Sequence, residues 1–234
     1  MIAFVRSLLF HLIFYPGSAI VASGIAIVGF FSPPSIRRGS NIWAAWFVWC
    51  ARVLLGIRLA VRGRIPNESV IVASKHTSAY ETILTLYLFH HPAVVMKAEL
   101  RNIPIWGRIS ANHGSIFVAR DKAGAALKSM IRQARARSAE GRPVFIFPEG
   151  TRVPYGSSPP LKAGLYGIYA GLGVPVVPVA HDAGRLWTKG FVKRPGTVTV
   201  CFQPEIPARL PREEMEARVH EAINRDPLTA DTLP

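Results

Sequence analysis

The sequence predicts an α/β fold, a mostly parallel sheet flanked by helices, preceded by an N-terminal membrane-associated helical hairpin. Three observations lead there. From Val70 onwards, short β-branched runs alternate with longer stretches of helical periodicity, the pattern of strand–helix–strand units. Ahead of them, no Asp, Glu, Lys or Arg occurs from Ser7 to Ile36, a stretch longer than the roughly 20 residues that cross a bilayer's hydrocarbon core. Between the two regimes, Arg64-Ile65-Pro66-Asn67-Glu68 interrupts both patterns with proline and polar residues. The expected organisation is therefore 1–65 as hydrophobic membrane-anchoring helices and 66–234 as an α/β domain.

Taken in order, the first element is the apolar run from Leu8 to Phe31, in which Pro16-Gly17 is expected to break or kink the helix into two pieces. Its apolar length exceeds the ~7–15 residues of a signal-peptide core, and only Arg6 supplies a basic flank, so it reads as retained. A second helical segment, Asn41 to Val61, carries Trp43, Trp46 and Trp49 at three-residue spacing, as an interfacial aromatic face does. Arg52 and Arg58 disfavour a full crossing, and with Arg37, Arg38, Arg62 and Arg64 they surround the segment with positive charge. Basic residues collect on the cytoplasmic side. A monotopic hairpin with its body at the cytoplasmic face of the inner (plasma) membrane fits this pattern, against the alternative of buried helices in a soluble domain.

In the body, Val70–Ser74 reads as a buried strand and the following helix runs to Phe89. Strands Ala93–Lys97, Ser115–Arg120 and Pro143–Phe147 alternate with a helix through Ile109 and a long helix from about Lys122 to Glu140. A glycine-rich helix starts at Lys162, and the strand Val174–Ala180 is expected near an edge or mouth of the sheet because of its prolines. Thr197–Phe202 and a helix from Pro211 to about Asn224 close the chain.

Lys and Arg total 28 against 14 acids, a net charge of +14. Such a field draws anionic partners: nucleic acid, acidic lipid or phosphorylated small molecules. No zinc, helix-turn-helix or aromatic RNA-binding signature accompanies the charge, so nucleic acid is not expected. Cys50 and Cys201 have neither metal-ligand spacing nor the density of a disulfide scaffold. His90, His91, His113 and His181 form no recognisable ligand set, and neither a metal nor a cofactor is expected.

Chemistry concentrates at strand ends. His76 stands where the strand ending at Ser74 gives way to a helix, and Glu81 follows five residues on. On one continuous helix such a pair lies about 140° apart. The two meet only if His76 sits in the turn and Glu81 in the first helical turn, leaving one ring nitrogen free as a base. A plainer reading competes: Ser78-Ala79-Tyr80-Glu81 is a capping box, and Glu81 then only closes it. Two further strands run into arginines, Gly114-Ser115-Ile116-Phe117-Val118-Ala119-Arg120 and Phe147-Pro148-Glu149-Gly150-Thr151-Arg152. Arginines so placed can grip a phosphate with paired donors, although a solvated strand end and an ordinary turn give the same letters.

The order of these blocks, His-x4-acid, then Gly-x-Ile-Phe-x-x-Arg, then Phe-Pro-Glu-Gly-Thr-Arg, then Val-Pro-Val-Val-Pro-Val, resembles the glycerophospholipid acyltransferases, specifically the 1-acyl-glycerol-3-phosphate acyltransferases. Lys193–Val200 is also similar to the family. The usual acid of the histidine motif is Asp, and here it is Glu81. The resemblance implies that His76 deprotonates an acceptor hydroxyl with Glu81 orienting it, and that Arg120, Glu149 and Arg152 bind the acceptor's phosphate while Gly150 and Thr151 shape the turn. It implies a lysophospholipid acceptor, an acyl-CoA or acyl-carrier-protein donor, and membrane lipids as surroundings. Glycerol 3-phosphate or a lyso-aminolipid remain as other acceptors, and a non-enzymatic basic protein on acidic lipid remains as a different class.

Overall fold

The computed structural model describes residues 1–32, 34–119 and 123–229. The helices are α1 (Ile2–Phe31), α2 (Ser35–Cys50), α3 (Tyr80–Leu88), α4 (Trp106–His113), α5 (Ala123–Ala139), α6 (Gly164–Leu172), α7 (Ala183–Leu186) and α8 (Arg212–Asn224). The strands are β1 (Ile57–Arg62), β2 (Ile71–Ser74), β3 (Ala93–Lys97), β4 (Ile116–Val118), β5 (Val144–Ile146), β6 (Val176–His181) and β7 (Gly196–Phe202). Their order across the sheet is β1-β7-β6-β2-β5-β3-β4. Every pairing is parallel except β6 with β7, which is antiparallel.

Strand alternation divides the core into two layers. Val72, Phe145, Val177 and Val179 point to one face, where Phe47 of α2, Tyr80 and Leu84 of α3 and Leu186 of α7 cover them. Ile71, Ala73, Val144 and Ile146 point to the other, against Met130 of α5, Leu165 and Ile168 of α6 and Met215 and Val219 of α8. With β2 buried on both faces, its run of apolar residues without polar alternation is what a central parallel strand requires.

Several expectations change. Pro16 does not divide the first segment: α1 runs without interruption for 30 residues, with Pro16 exposed, and its missing N–H forgoes one intrahelical bond. The second segment is not helical to Val61. The α-helix ends at Cys50, a π turn covers Ala51–Leu55, and Gly56 at φ 72 closes it in the left-handed conformation that glycine adopts freely. Ile57–Arg62 then pairs with β7, so the sheet already draws on chain ahead of residue 66. The helix expected through Ile109 is interrupted around Pro104, giving a 3₁₀ turn at Ala98–Asn102 and a separate α4.

The strand at Val174–Ala180 is interior, between β2 and β7, and not at an edge. Pro175 precedes the strand, and its carbonyl accepts from Ile71 of β2. Pro178 turns the other way, its carbonyl accepting from Gln203 just beyond the last registered β7 pair, Val179 with Phe202. Its missing N–H therefore falls where the β7 ladder has ended, and no registered pair is lost.

α1 packs along α2 through glycines that let the helices approach closely. A Cβ at Gly29 would stand 2.4 Å from Ile36 Cγ1, and one at Gly39 would stand 2.6 Å from Ile25 Cγ1. Trp46 lies on Gly17 and stacks on Trp49 at 5.3 Å, while Trp43 meets Phe14 at 6.3 Å. Of the expected tryptophan face, only Trp49 stands exposed; the other two are half-buried against the hairpin and core. α1 is long and apolar enough to cross a membrane, and only 11% of its most apolar window is buried.

Gly63 tests the seam that joins β1 to the sheet. Its φ is +77, and a Cβ there would lie 2.2 Å from the backbone oxygen of Phe202. Gly63→Ala is expected to destabilise the protein by about 1–3 kcal/mol, read as a lower urea midpoint at unchanged slope. An unchanged midpoint would show that β1 docks in some other way.

Candidate active site

The parallel strands β2, β5 and β6 end at one edge of the sheet, and the residues that follow them converge there. Carboxyl ends of parallel strands are where such folds build sites, because the loops there are free to vary over a fixed scaffold. His76 leaves β2 in the turn and Glu81 lies in the first turn of α3, the arrangement the spacing demands. His76 Nδ1 and Glu81 Oε1 are 3.0 Å apart. A carboxylate only accepts, so Nδ1 carries the proton and the neutral ring leaves Nε2 with its lone pair. No residue among those described bonds Nε2, and the side chain is 14% exposed.

The capping role is present in part, and it uses the same oxygen. Glu81 Oε1 also accepts from the backbone N–H of Ser78 at 2.7 Å and of Thr77 at 2.9 Å. The other half of the box is altered: Ser78 Oγ accepts from Tyr80 N at 3.1 Å and donates to Glu81 Oε2. Burial alone would raise the Glu81 carboxyl; His181 nearby, the His76 ring and the Ser78 hydroxyl together hold it below its ordinary value. Taking a carboxylate out of water costs several kcal/mol. Charge-assisted hydrogen bonds contribute roughly 1.5–3 kcal/mol each, and with four converging here the ionised form wins.

A second buried carboxylate fixes His76 from behind. Glu149 Oε2 accepts from His76 N–H at 2.9 Å, while Oε1 is paired with Lys75 Nζ at 2.5 Å. His76 C=O accepts from Val153 N–H at 2.8 Å, and the ring stacks on Phe147 at 4.1 Å and 23°. Lys75 C=O is held in turn by His181 Nε2 at 2.7 Å. Since Ala183 N–H donates to His181 Nδ1, the Nε2 proton is the one that reaches Lys75. The backbone on both sides of the imidazole and its flat face are thus anchored.

The predicted residues fall into three groups. His76 and Glu81 touch. Glu149, Gly150, Thr151 and Arg152 share the turn after β5: Gly150 takes φ +70, Gly150 N–H closes on Phe147 C=O at 3.0 Å, and Thr151 and Arg152 are exposed. Arg152 directly precedes Val153, whose N–H bonds the His76 carbonyl, and its side chain is exposed. Glu149, by contrast, is 2% exposed and both its oxygens are engaged within the protein. Arg120 lies outside the described residues. Sequence reasoning missed Lys75, Phe147 and His181, whose roles depend on which chain segments fold next to them. It also missed Gly184, whose N–H bonds Thr77 Oγ1 at 3.1 Å and whose Cβ, if present, would lie 2.7 Å from Thr77 Cβ. Among the described residues no cluster of His, Cys, Asp and Glu could hold a metal.

Residues 58–182 match the family described as acyltransferase. A 1-acyl-sn-glycerol-3-phosphate acyltransferase of Pseudomonas aeruginosa is 37% identical over 169 residues, 71% of this chain and 66% of that protein. The corresponding alpha enzyme of Ovis aries is 29% identical over 182 residues, 74% of this chain and 62% of that one. The chain thus spans less than two thirds of the length of these curated relatives. The crystal structure of a 1-acyl-sn-glycerophosphate (LPA) acyltransferase from Thermotoga maritima shares the fold, with a TM-score of 0.75 at 23% identity over 98% of this chain and 99% of that one.

The direction of the Glu81 shift sets a pH signature. Its folded value lies below the ordinary 4.5, so the unfolded chain binds the proton more readily. Stability from Glu81 is therefore complete above that value and is lost as pH falls from it towards the lower folded one. Glu81→Gln removes this contribution, and its melting temperature should fall less steeply than the wild type's below about pH 4.5. Parallel acid limbs would contradict a buried, ionised Glu81.

Proposed function

On the premise that this chain belongs to the acyltransferase family, we propose that it is a 1-acylglycerol-3-phosphate O-acyltransferase of phospholipid biosynthesis. It moves a fatty acyl group from acyl-CoA or acyl carrier protein to the free hydroxyl of lysophosphatidic acid, giving phosphatidic acid. The observation that carries this reading is the dyad: a histidine whose Nδ1 is bonded to a buried carboxylate and whose Nε2 has no partner among the described residues.

An alcohol is a weak nucleophile until a base takes its proton as it attacks. His76 Nε2 removes the proton from the acceptor hydroxyl while the oxygen adds to the thioester carbonyl. The tetrahedral intermediate then collapses: the C–O bond is kept, the C–S bond breaks, and the imidazolium returns the proton to the departing thiolate. Glu81 stabilises the imidazolium between the two steps, and its bond to Nδ1 keeps the ring in the tautomer that starts the cycle.

Arg152, exposed in the turn after β5, and Arg120 supply the cationic grip on the acceptor's phosphate. Gly150 and Thr151 give that turn its shape. Glu149 works from the other side. A buried carboxylate would repel a phosphate, and its two oxygens hold Lys75 and the His76 amide instead. Neither a metal nor a cofactor is needed for this proton transfer and acyl exchange. The apolar hairpin seats the body on lipid at the cytoplasmic face of the inner membrane, with Phe30, Phe31, Ile42 and Trp49 among its exposed side chains.

Purified membranes given labelled acyl-CoA or acyl carrier protein and a panel of lysophosphatidic acid, glycerol 3-phosphate and lyso-aminolipid test the reaction. Transfer to lysophosphatidic acid above the others is expected, and a preference for an acceptor without phosphate would overturn the assignment. His76→Ala should lower turnover by about 10²–10⁴. Arg152→Ala should raise the acceptor KM by roughly 10–100-fold with the donor KM unchanged, since each charge-assisted contact contributes roughly 1.5–3 kcal/mol. A donor KM that rises instead would reassign the arginine.

A further inference from the structure

The family match ends at residue 182, yet the last helix of the chain reaches the turn that carries His76. Asn224, the final residue of α8, places Oδ1 2.6 Å from Lys75 Nζ. Its Nδ2 donates to His220 C=O at 2.7 Å, which fixes the amide so that the oxygen, not the nitrogen, faces the lysine. Lys75 Nζ has two other acceptors, Glu149 Oε1 and Ser157 C=O, both at 2.5 Å. An ammonium has three protons, and all three are used. On the same side of α8, His220 Nε2 meets Ser158 C=O at 3.2 Å. The helix therefore contacts both the lysine behind His76 and the loop that follows Arg152.

We propose that α8 is a working part of the site and that Asn224 is a positioning residue, acting on His76 through Lys75 and Glu149. This rests on the acyl transfer proposed above. Lys75 is 5% exposed and Glu149 2%, so neither can exchange its partner for bulk water without moving. With the Asn224 oxygen gone, one ammonium proton faces a buried site without an acceptor, a state costly enough to make a flexible lysine stem shift. Glu149 moves with its partner, and its other oxygen is the one bonded to His76 N–H. The imidazole is then displaced relative to the hydroxyl it must deprotonate, and a misplacement of about 1 Å is enough to cost about 10²-fold in rate.

Neither substrate need touch Asn224 for this to hold, which separates a positioning role from a binding one. In the full-length protein, Asn224→Ala should lower kcat by about tenfold, the lower end for losing a hydrogen bond to a charged group, while both KM values stay as in the wild type. Asn224→Asp keeps an acceptor at the same place and should restore most of kcat. In the background Lys75→Met/Glu149→Gln, which removes both buried charges together, Asn224→Ala should change nothing further. A residue that merely ended the helix would cost the same in either background, and that additivity would overturn the proposal, as would an unchanged kcat or a change confined to KM. Hydrogen exchange of the peptide spanning residues 72–80 is read alongside and needs no substrate: it should quicken in Asn224→Ala. If the wild type fails to acylate lysophosphatidic acid, the acyl-transfer reading falls. Quickened exchange then still upholds the strut from α8 to His76, and unchanged exchange overturns it.

Discussion

The hydrogen bonds converging on Glu81 are the constraint on which the site depends. One carboxylate oxygen accepts from His76 Nδ1 and from the backbone N–H groups of Thr77 and Ser78, and the other accepts from the Ser78 hydroxyl. These donors belong to a single turn, so the charge that orients the imidazole also sets the conformation of the chain leading into α3. Helix capping and histidine orientation, which look like rival explanations of one residue, are the same set of contacts. The additional methylene of Glu relative to Asp lets the carboxylate reach back across the turn while its backbone is already helical.

A second buried carboxylate makes the first one effective. Glu81 fixes the ring, but a ring is only as well placed as its backbone, and Glu149 with Lys75 fixes that. The two acids are nearly equally buried, at 4% and 2% exposure, and play different parts because of their neighbours. Glu81 faces an imidazole and amide donors. Glu149 faces a lysine whose own partners come from the loop after β5 and from α8. The parallel sheet makes this possible by delivering the ends of β2, β5 and β6 to one edge, so that residues far apart in sequence meet within hydrogen-bonding distance.

Much of the body was legible because its strands are short, β-branched and bounded by turn residues. Val70–Ser74, Ala93–Lys97 and Thr197–Phe202 were placed to within a residue or so by that pattern alone. The failures have physical causes. The segment after Cys50 keeps an apolar composition while passing from helix through a π turn into β1, and periodicity cannot see a change of structure inside an apolar run. Prolines in β6 suggested an edge, but Pro178 sits where its neighbour's ladder has ended. At the site, His76 and Glu81 could be paired because they share one turn. Glu149 could be found as a letter in a motif but not as a partner of Lys75, since nothing in spacing reveals a contact between residues so far apart. Asn224 carried no signal, being one polar residue at the end of an ordinary amphipathic helix.

His76 rests with a proton on Nδ1 and a lone pair on Nε2 because Glu81 holds it so. Nitrogen NMR of protein labelled only in its histidines measures this directly, with the His76 signals identified by their loss in His76→Gln. In the neutral ring the expected signals are a protonated Nδ1 and an unprotonated Nε2 for His76. A ring found as the Nε2–H tautomer, or averaging between tautomers as a free imidazole does, would contradict it.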